Sequence, residues 1–163
     1  MSARIGGGGI GIWLVTGMGL GLMRPAPGTW GSLPPVALAM LLAFAGTDPR
    51  HIDMALAAMG LVFGLSCLVW GESAEKSFGR KDPGAVVADE VAGQSLALMW
   101  LPWSGNNARI IATCAIAFFA FRLFDIVKPP PARGWQRFPG GLGILIDDLV
   151  AGHKGARQKI GLQ

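Results

Sequence analysis

Residues 52–70 read IDMALAAMGLVFGLSCLVW, and Asp53 is the only charged residue among them. A transmembrane helix needs about 20 predominantly apolar residues, because it must cross a hydrocarbon core about 30 Å thick. This stretch therefore predicts a membrane-spanning helix and a helical membrane fold.

The composition of the whole chain indicates the same class of protein. Of its 163 residues, 52% are apolar and 15% are charged, and the mean hydropathy is +0.47. Soluble domains carry about 25% charged residues. The length suits one domain, so we expect residues 1–163 to form a single membrane-embedded unit. Its ends would be a glycine-rich segment with a phosphate loop at 1–32 and a basic tail at 153–163.

Other apolar stretches flank the first one. We expect an all-α integral membrane bundle of about four transmembrane helices, plus short re-entrant or interfacial helices; the four predicted spans are 33–46, 52–70, 85–103 and 108–127. Residues 5–23 contain eight glycines, each of which costs a helix about 0.5–1 kcal/mol, so we expect an interfacial or re-entrant segment there. Residues 142–152 reach only about 16 Å as a helix and should not cross.

The basic residues predict the orientation of this bundle. If the four spans cross in turn, one face carries seven basic residues in its connections, and the opposite face carries only Arg50 and Arg109. The positive-inside rule places the richer face in the cytoplasm. The seven are Arg24, Lys76, Arg80, Lys81, Lys128, Arg133 and Arg137. We therefore interpret the net charge of +4 as a sign of cytoplasmic loops and not of nucleic-acid binding.

Several acidic residues lie in or next to the apolar stretches of the chain. Five of the ten acids lie in or beside apolar stretches, where a charge at the bilayer centre costs about 2.5–3.5 kcal/mol. These acids are Asp89, Glu90, Asp125, Asp147 and Asp148. Mg²⁺ binds such hard oxygen ligands and keeps water and substrate phosphate in its remaining positions. The structural alternative is that each acid is an ordinary helix-end residue in contact with headgroups and water.

Several polar residues near these acids suit a phosphate group. Residues 27–32, Pro-Gly-Thr-Trp-Gly-Ser, precede a predicted helix, so their free N–H groups and the hydroxyls of Thr29 and Ser32 form a candidate phosphate seat. Ser32 could equally be a simple helix N-cap. Lys81, Arg122 and Lys128 are candidate cations for the phosphate, although Arg122 could instead pair with Asp125 three residues later.

Absent motifs exclude other chemistry. The two histidines, His51 and His153, belong to opposite predicted faces, so a phosphohistidine mechanism supported by a second histidine lacks its residues. Cys67 and Cys114 lie within apolar runs and suggest neither a disulfide framework nor a zinc site. The chain contains no nucleotide-binding glycine fingerprint.

Four blocks taken together resemble the phosphatidylglycerophosphatase A family of bacterial membrane lipid phosphatases. They are the segment 27–32, Lys81-Asp82-Pro83 with Asp89-Glu90-Val91-Ala92-Gly93, the segment 121–129, and residues 140–152, GGLGILIDDLVAG. The resemblance implies magnesium-dependent removal of the terminal phosphate from phosphatidylglycerophosphate. The product would be phosphatidylglycerol, made at the inner membrane.

Residues and resemblance together suggest a role for each group. Asp89, Glu90, Asp147 and Asp148 would hold one or two Mg²⁺ ions, and Asp125 would be a further ligand or the base that orients water. Thr29, Ser32, Lys81, Arg122 and Lys128 would bind the phosphate. An aspartyl-phosphate intermediate is an open alternative to direct attack by water. A small ion carrier and a non-catalytic membrane subunit are the alternatives to an enzyme.

Overall fold

The computed structural model describes residues 9–79 and 83–127, and all of the regular structure within these ranges is helical. This confirms the predicted all-α class. The elements are α1 (Gly9–Val15), a 3₁₀ turn (Leu20–Leu22), α2 (Pro27–Gly31), α3 (Leu33–Phe44), α4 (Pro49–Phe78), α5 (Ala88–Leu98) and α6 (Asn107–Val127).

Two of the described helices, α4 and α6, are long and apolar enough to cross a membrane. They have 30 and 21 residues, which corresponds to about 45 and 31 Å. Only 33% and 22% of their most apolar windows are buried, whereas a core helix of a soluble protein would be mostly enclosed. Leu61 and Phe119, for example, are 62% and 69% exposed. Large apolar side chains exposed on the outer surface of these helices are typical of contact with lipid.

Helices α3 and α5 are shorter than the predicted spans 33–46 and 85–103. They have 12 and 11 residues, or about 18 and 16 Å against a hydrocarbon core of about 30 Å. The expected four transmembrane helices are therefore not confirmed. Nine of the eleven residues of α5 are buried, because α3, α4 and α6 all pack against it. A short helix is tolerated at membrane depth when protein surrounds it.

Successive long helices run in opposite directions, so the start of one helix lies at the same end of the bundle as the end of another. The backbone N–H of Trp100, just after α5, donates to the Asp53 carboxylate in the first turns of α4 (3.0 Å). A core of Ala39, Leu56, Leu98 and Cys114 joins α3, α4, α5 and α6 towards this same end. The start of α5 therefore lies at the opposite end, with the start of α3 and the last turns of α4 and α6. This end is called the α5-start end below.

Within residues 9–23, the described part of the predicted segment 5–23, the chain forms only the seven-residue helix α1 and a 3₁₀ turn, neither of which is long enough to span a membrane. Helix α1 packs on α4 so closely that a Cβ on Gly11 would come within 2.5 Å of the Trp70 ring. The chain then reverses through Gly17, Met18 and Gly19, all with positive φ. The carbonyl of Val15 accepts from the N–H of Val87 at 2.9 Å. This reversal brings α2 to the α5-start end.

Candidate active site

The first turn of α5 carries the acid pair that the sequence singled out. Asp89 and Glu90 are its second and third residues; Asp89 is 7% exposed and Glu90 is half-buried. The first turn of a helix has free N–H groups and a partial positive charge, which favour carboxylates there. The start of α5 is therefore a favourable position for two carboxylates in an otherwise apolar bundle.

Gly28 in α2 lies directly against this acid pair and against α6. A Cβ built on Gly28 would overlap Glu90 Oε1 and would lie 3.0 and 3.1 Å from Nη2 and Nη1 of Arg122. One backbone position thus adjoins both a carboxylate and a guanidinium from two other helices. The structure brings together the predicted segment 27–32, Glu90 and Arg122, which are far apart in sequence.

Arg122 and Asp125 form the ion pair that their three-residue spacing offered as an alternative to a phosphate contact. Arg122 Nη1 and Asp125 Oδ2 are 2.7 Å apart, and the side chains are only 15% and 12% exposed. Arg122 Nε is buried and has no hydrogen-bond acceptor in the described residues. Because a guanidinium has five N–H donors, this pair leaves Arg122 with donors for an anion. Asp125 holds the guanidinium in place beside Gly28.

The Ser32 hydroxyl does not cap α3, so that structural interpretation is wrong. Its side chain is fully buried and makes no capping hydrogen bond; instead Oγ donates to the carbonyl of Gly28 at 2.8 Å. Residues 27–31, expected to be a loop, form the short helix α2, so their N–H groups are partly used within the turn. Ser32 thus fixes the turn that presents Gly28, and half-buried Thr29 lies in that same turn.

Four predicted site residues lie outside the described residues. They are Lys81, Lys128, Asp147 and Asp148, and their roles stay predictions. Within 9–79 and 83–127, no group of three or more His, Cys, Asp or Glu side chains is close enough to hold a metal ion. Asp89 and Glu90 nevertheless fit Mg²⁺, which proteins bind through one or two carboxylates together with water and substrate phosphate.

Sequence analysis missed Gln94, a fully buried polar side chain on the same helix as Asp89 and Glu90. It is 0% exposed and lies on α5, four residues after Glu90. Neither its amide oxygen nor its amide nitrogen has a hydrogen-bond partner in the described structure. An amide within an apolar run, on the same helical face as a candidate ligand, was the signal that could have identified it.

An apolar groove of about 330 Å³ lies between α4 and α5, apart from these residues. Its walls include Ala57, Gly60 and Gly64 of α4 and Ala92, Ser95 and Leu96 of α5. None of the predicted site residues lines it. The polar site is instead at the α5-start end, between α2, α5 and α6.

Gly28→Ala is expected to lower catalytic efficiency about 100-fold. The new methyl group would overlap the Glu90 carboxylate and crowd Arg122, and a displacement of about 1 Å at reacting groups can cost 10²-fold in rate. Gly60→Ala is the matched control, because the nearest atom to its Cβ would be Ser95 Cβ at 3.3 Å, and none of the predicted site residues is in contact. Phosphate release by the two purified variants measures the effect. Equal activity in both would show that the contact at Gly28 has no catalytic importance.

Comparison with known proteins gives one consistent family. A family model described as phosphatidylglycerophosphatase A matches residues 13–156. Two proteins named phosphatidylglycerophosphatase A are similar to the chain: one from Haemophilus influenzae is 38% identical over 140 residues, covering 85% of this chain and 79% of the relative. The one from Escherichia coli is 35% identical over 140 residues, covering 85% and 75%.

A third relative has a different name. This protein of Bacteroides thetaiotaomicron, named as a candidate phosphatidylinositol-3-phosphatase, is 36% identical over 141 residues, covering 84% of this chain and 83% of the relative. No solved structure matches the chain. All three names describe removal of a phosphate monoester from a lipid headgroup.

Proposed function

Because this chain belongs to the phosphatidylglycerophosphatase A family, and is therefore a phosphoric monoester hydrolase, we propose that it converts phosphatidylglycerophosphate into phosphatidylglycerol and phosphate. We propose further that the reaction needs Mg²⁺ and serves phospholipid biosynthesis. The observation that carries this proposal is the meeting of Gly28, Glu90 and Arg122 at the α5-start end of an apolar bundle.

Arg122 is the proposed anchor for the terminal phosphate. A guanidinium binds phosphate through two parallel N–H donors, and the ion pair with Asp125 orients it beside Gly28. The missing side chain of Gly28 lets its backbone lie directly against Glu90 and Arg122. Thr29, Lys81 and Lys128 are proposed as further phosphate contacts, while Ser32 maintains the turn around Gly28.

The proposed metal ligands are Asp89 and Glu90, together with Asp147 and Asp148. Bound Mg²⁺ would supply Lewis-acid polarisation of the phosphoryl oxygens and a more acidic bound water. The burial of Asp89 and the half-burial of Glu90 support this role. Charge interactions are stronger where water is excluded.

The proposed reaction is hydrolysis of the terminal phosphate monoester by water. A water oxygen forms a bond to phosphorus, and a carboxylate, which we propose to be that of Asp125, accepts the proton of the water. The bond between phosphorus and the glycerol oxygen breaks, and that oxygen takes the proton that Asp125 accepted, so that it leaves as a hydroxyl and Asp125 is again a carboxylate. Arg122 stabilises the negative charge on the equatorial oxygens as this happens.

An acid that attacks phosphorus itself is the mechanistic alternative, and it would leave a phosphate on the enzyme. Acid quenching of the enzyme during turnover of radiolabelled substrate distinguishes the two routes. Direct attack by water predicts no protein-bound label, whereas an aspartyl-phosphate route predicts label that hydroxylamine releases.

The location of the site suits a substrate that stays in the membrane. The family substrate is a phospholipid, and α4 and α6 offer apolar surfaces to its acyl chains. We propose that the α5-start end faces the cytoplasm at the inner membrane of a bacterium, because the described basic residues Arg24 and Lys76 lie at that end and the sequence that follows α4 and α6 is rich in Lys and Arg. Lys and Arg at that surface would also attract anionic lipid.

Phosphate release is expected to be fastest from phosphatidylglycerophosphate when three lipids are compared in the same detergent micelles. The other two are phosphatidylinositol 3-phosphate, which the name of the Bacteroides relative makes the second candidate, and phosphatidic acid. We expect at least a 10-fold higher kcat/KM for the first lipid. A higher value for the inositol lipid would transfer the assignment to that substrate, and no release from any of them would contradict the proposed function.

A further inference from the structure

Gln94 is a buried amide without a partner in an otherwise closely packed helix. Its side chain is 0% exposed, and both amide atoms lack hydrogen-bond partners in the described structure. The buried serines of the same bundle are satisfied locally: Ser95 Oγ donates to Val91 O at 2.7 Å, and Ser66 Oγ donates to Phe63 O at 2.7 Å. Trp103 Nε1 and Arg122 Nε also lack partners in the described residues, but in Gln94 both the donor and the acceptor are unpaired. This calls for an explanation, because buried polar groups are nearly always hydrogen-bonded.

The helical register directs Gln94 towards the active site. It follows Glu90 by four residues, so the two side chains share one face of α5 about 5–6 Å apart. Side chains on a helix lean towards its N-terminus, and here that is the direction of Glu90. Ala97, one turn beyond Gln94, packs on Phe121 of α6. Gln94 thus lies between this apolar contact and the meeting point of Glu90, Gly28 and Arg122.

Depth in the bundle indicates which part of a lipid Gln94 could touch. The carboxylates are at the α5-start end, and Gln94 is one helical turn further into the bundle. A phospholipid enters with its acyl chains in the hydrocarbon and its terminal phosphate at the polar end. The headgroup carbons between these two parts would therefore pass the level of Gln94.

We propose that the Gln94 amide binds a hydroxyl of the lipid headgroup next to the phosphate that is removed, and so selects substrates that carry this hydroxyl. The proposal rests on the proposed function. An amide provides both a donor and an acceptor, which matches a hydroxyl that also donates and accepts. Arg122 and Asp125 carry charge, whereas the neutral Gln94 can distinguish headgroups without competing for the phosphate.

The matched pair of substrates is phosphatidylglycerophosphate and its deoxy analogue, in which 1,3-propanediol replaces the headgroup glycerol. Both present the same terminal phosphate, and only the first has the hydroxyl. Loss of one hydrogen bond that leaves a buried group unsatisfied corresponds to about 10–100-fold in kcat/KM. We expect the wild-type protein to prefer the natural lipid by about this factor.

Gln94→Met is expected to abolish the preference. It should lower kcat/KM for the natural lipid about 10–100-fold and leave that for the deoxy analogue unchanged. Methionine has a similar shape and no amide to satisfy, so the melting temperature should not fall. Ser95→Ala is the control, because Ser95 is the adjacent buried polar residue and its hydroxyl is already bonded to Val91. It should keep the wild-type ratio between the two lipids.

Each outcome decides the proposal. The role of Gln94 would be overturned if the wild type had similar kcat/KM values for the two lipids, or if Gln94→Met kept the wild-type ratio of these values. Hydrolysis of both lipids in that case would still support the proposed function. Absence of hydrolysis of either lipid by the wild type would overturn both. If Gln94→Met does not fold, the wild-type ratio and the ratio in Gln94→Glu decide instead, since Glu keeps the length but loses the donor.

Discussion

Asp89→Asn should reduce phosphate release by about 10³-fold with saturating Mg²⁺ and natural lipid. The substitution keeps the size of the side chain and removes its negative charge, so a metal ion and the transition-state charge lose several kcal/mol of stabilisation. Each 1.36 kcal/mol corresponds to tenfold in rate. Because Asp89 is only 7% exposed, water cannot easily replace the lost charge. Initial rates of phosphate release by purified wild type and variant measure the effect.

Glu72→Gln is the control for removing one carboxylate. Glu72 lies near the C-terminal end of α4, is 70% exposed and pairs with Lys76 at 2.7 Å. Exposed ion pairs contribute about 0–1 kcal/mol, so this variant should remain active. If Asp89→Asn retains most of the wild-type rate, the acid pair at the start of α5 is a structural feature of the helix and takes no part in the reaction.

Chelation of divalent cations with EDTA should bring phosphate release down to the rate without enzyme. Asp89 and Glu90 offer oxygen ligands of the kind that Mg²⁺ prefers, and Arg122 is the one cation that the described residues place directly beside Glu90. One guanidinium, already paired with Asp125, cannot neutralise both the acids and a phosphate dianion. Adding Mg²⁺ back in excess should restore the rate, whereas Ca²⁺, with its longer bonds, should restore it less.

The control for chelation is a measurement of structure. The helix content by circular dichroism should be the same with EDTA and with Mg²⁺, because the apolar core of Ile52, Leu56 and Leu98 contains no metal ligand. Phosphate release that persists in EDTA, in wild type and in Asp89→Asn alike, would exclude the metal mechanism. The family membership of the chain would still stand.

The sequence predicted only some of the contacts within the candidate site. Spacing alone offered the pair of Arg122 and Asp125 as the alternative to a phosphate contact by Arg122, and the pair is present, because residues three apart on a helix are neighbours. The same kind of reasoning failed for Ser32, whose hydroxyl can act as a cap or bond to the carbonyl four residues earlier. The N–H groups at the start of α3 and the carbonyl of Gly28 are both within reach of this hydroxyl, and the geometry of the preceding turn decides which of them it bonds.

The lengths of the described helices show that composition does not predict which apolar segments form helices long enough to cross a membrane. An apolar run predicts that a segment avoids water, but it does not distinguish a lipid-facing helix from one enclosed by protein. Residues 85–103 satisfy the first condition, yet the helix covers only Ala88–Leu98 and is wrapped by its neighbours.

The sequence by itself determined an all-helical apolar protein that includes two long helices, and it identified the acids and cations that we propose to bind metal and phosphate. These follow from residue type and local spacing, since hydrophobicity and helical periodicity act over a few turns. Only the tertiary structure decided that Gly28, Glu90 and Arg122 share one point, and that Gln94 is buried beneath them. Such contacts depend on how closely whole helices pack, and that distance is set by all their side chains together.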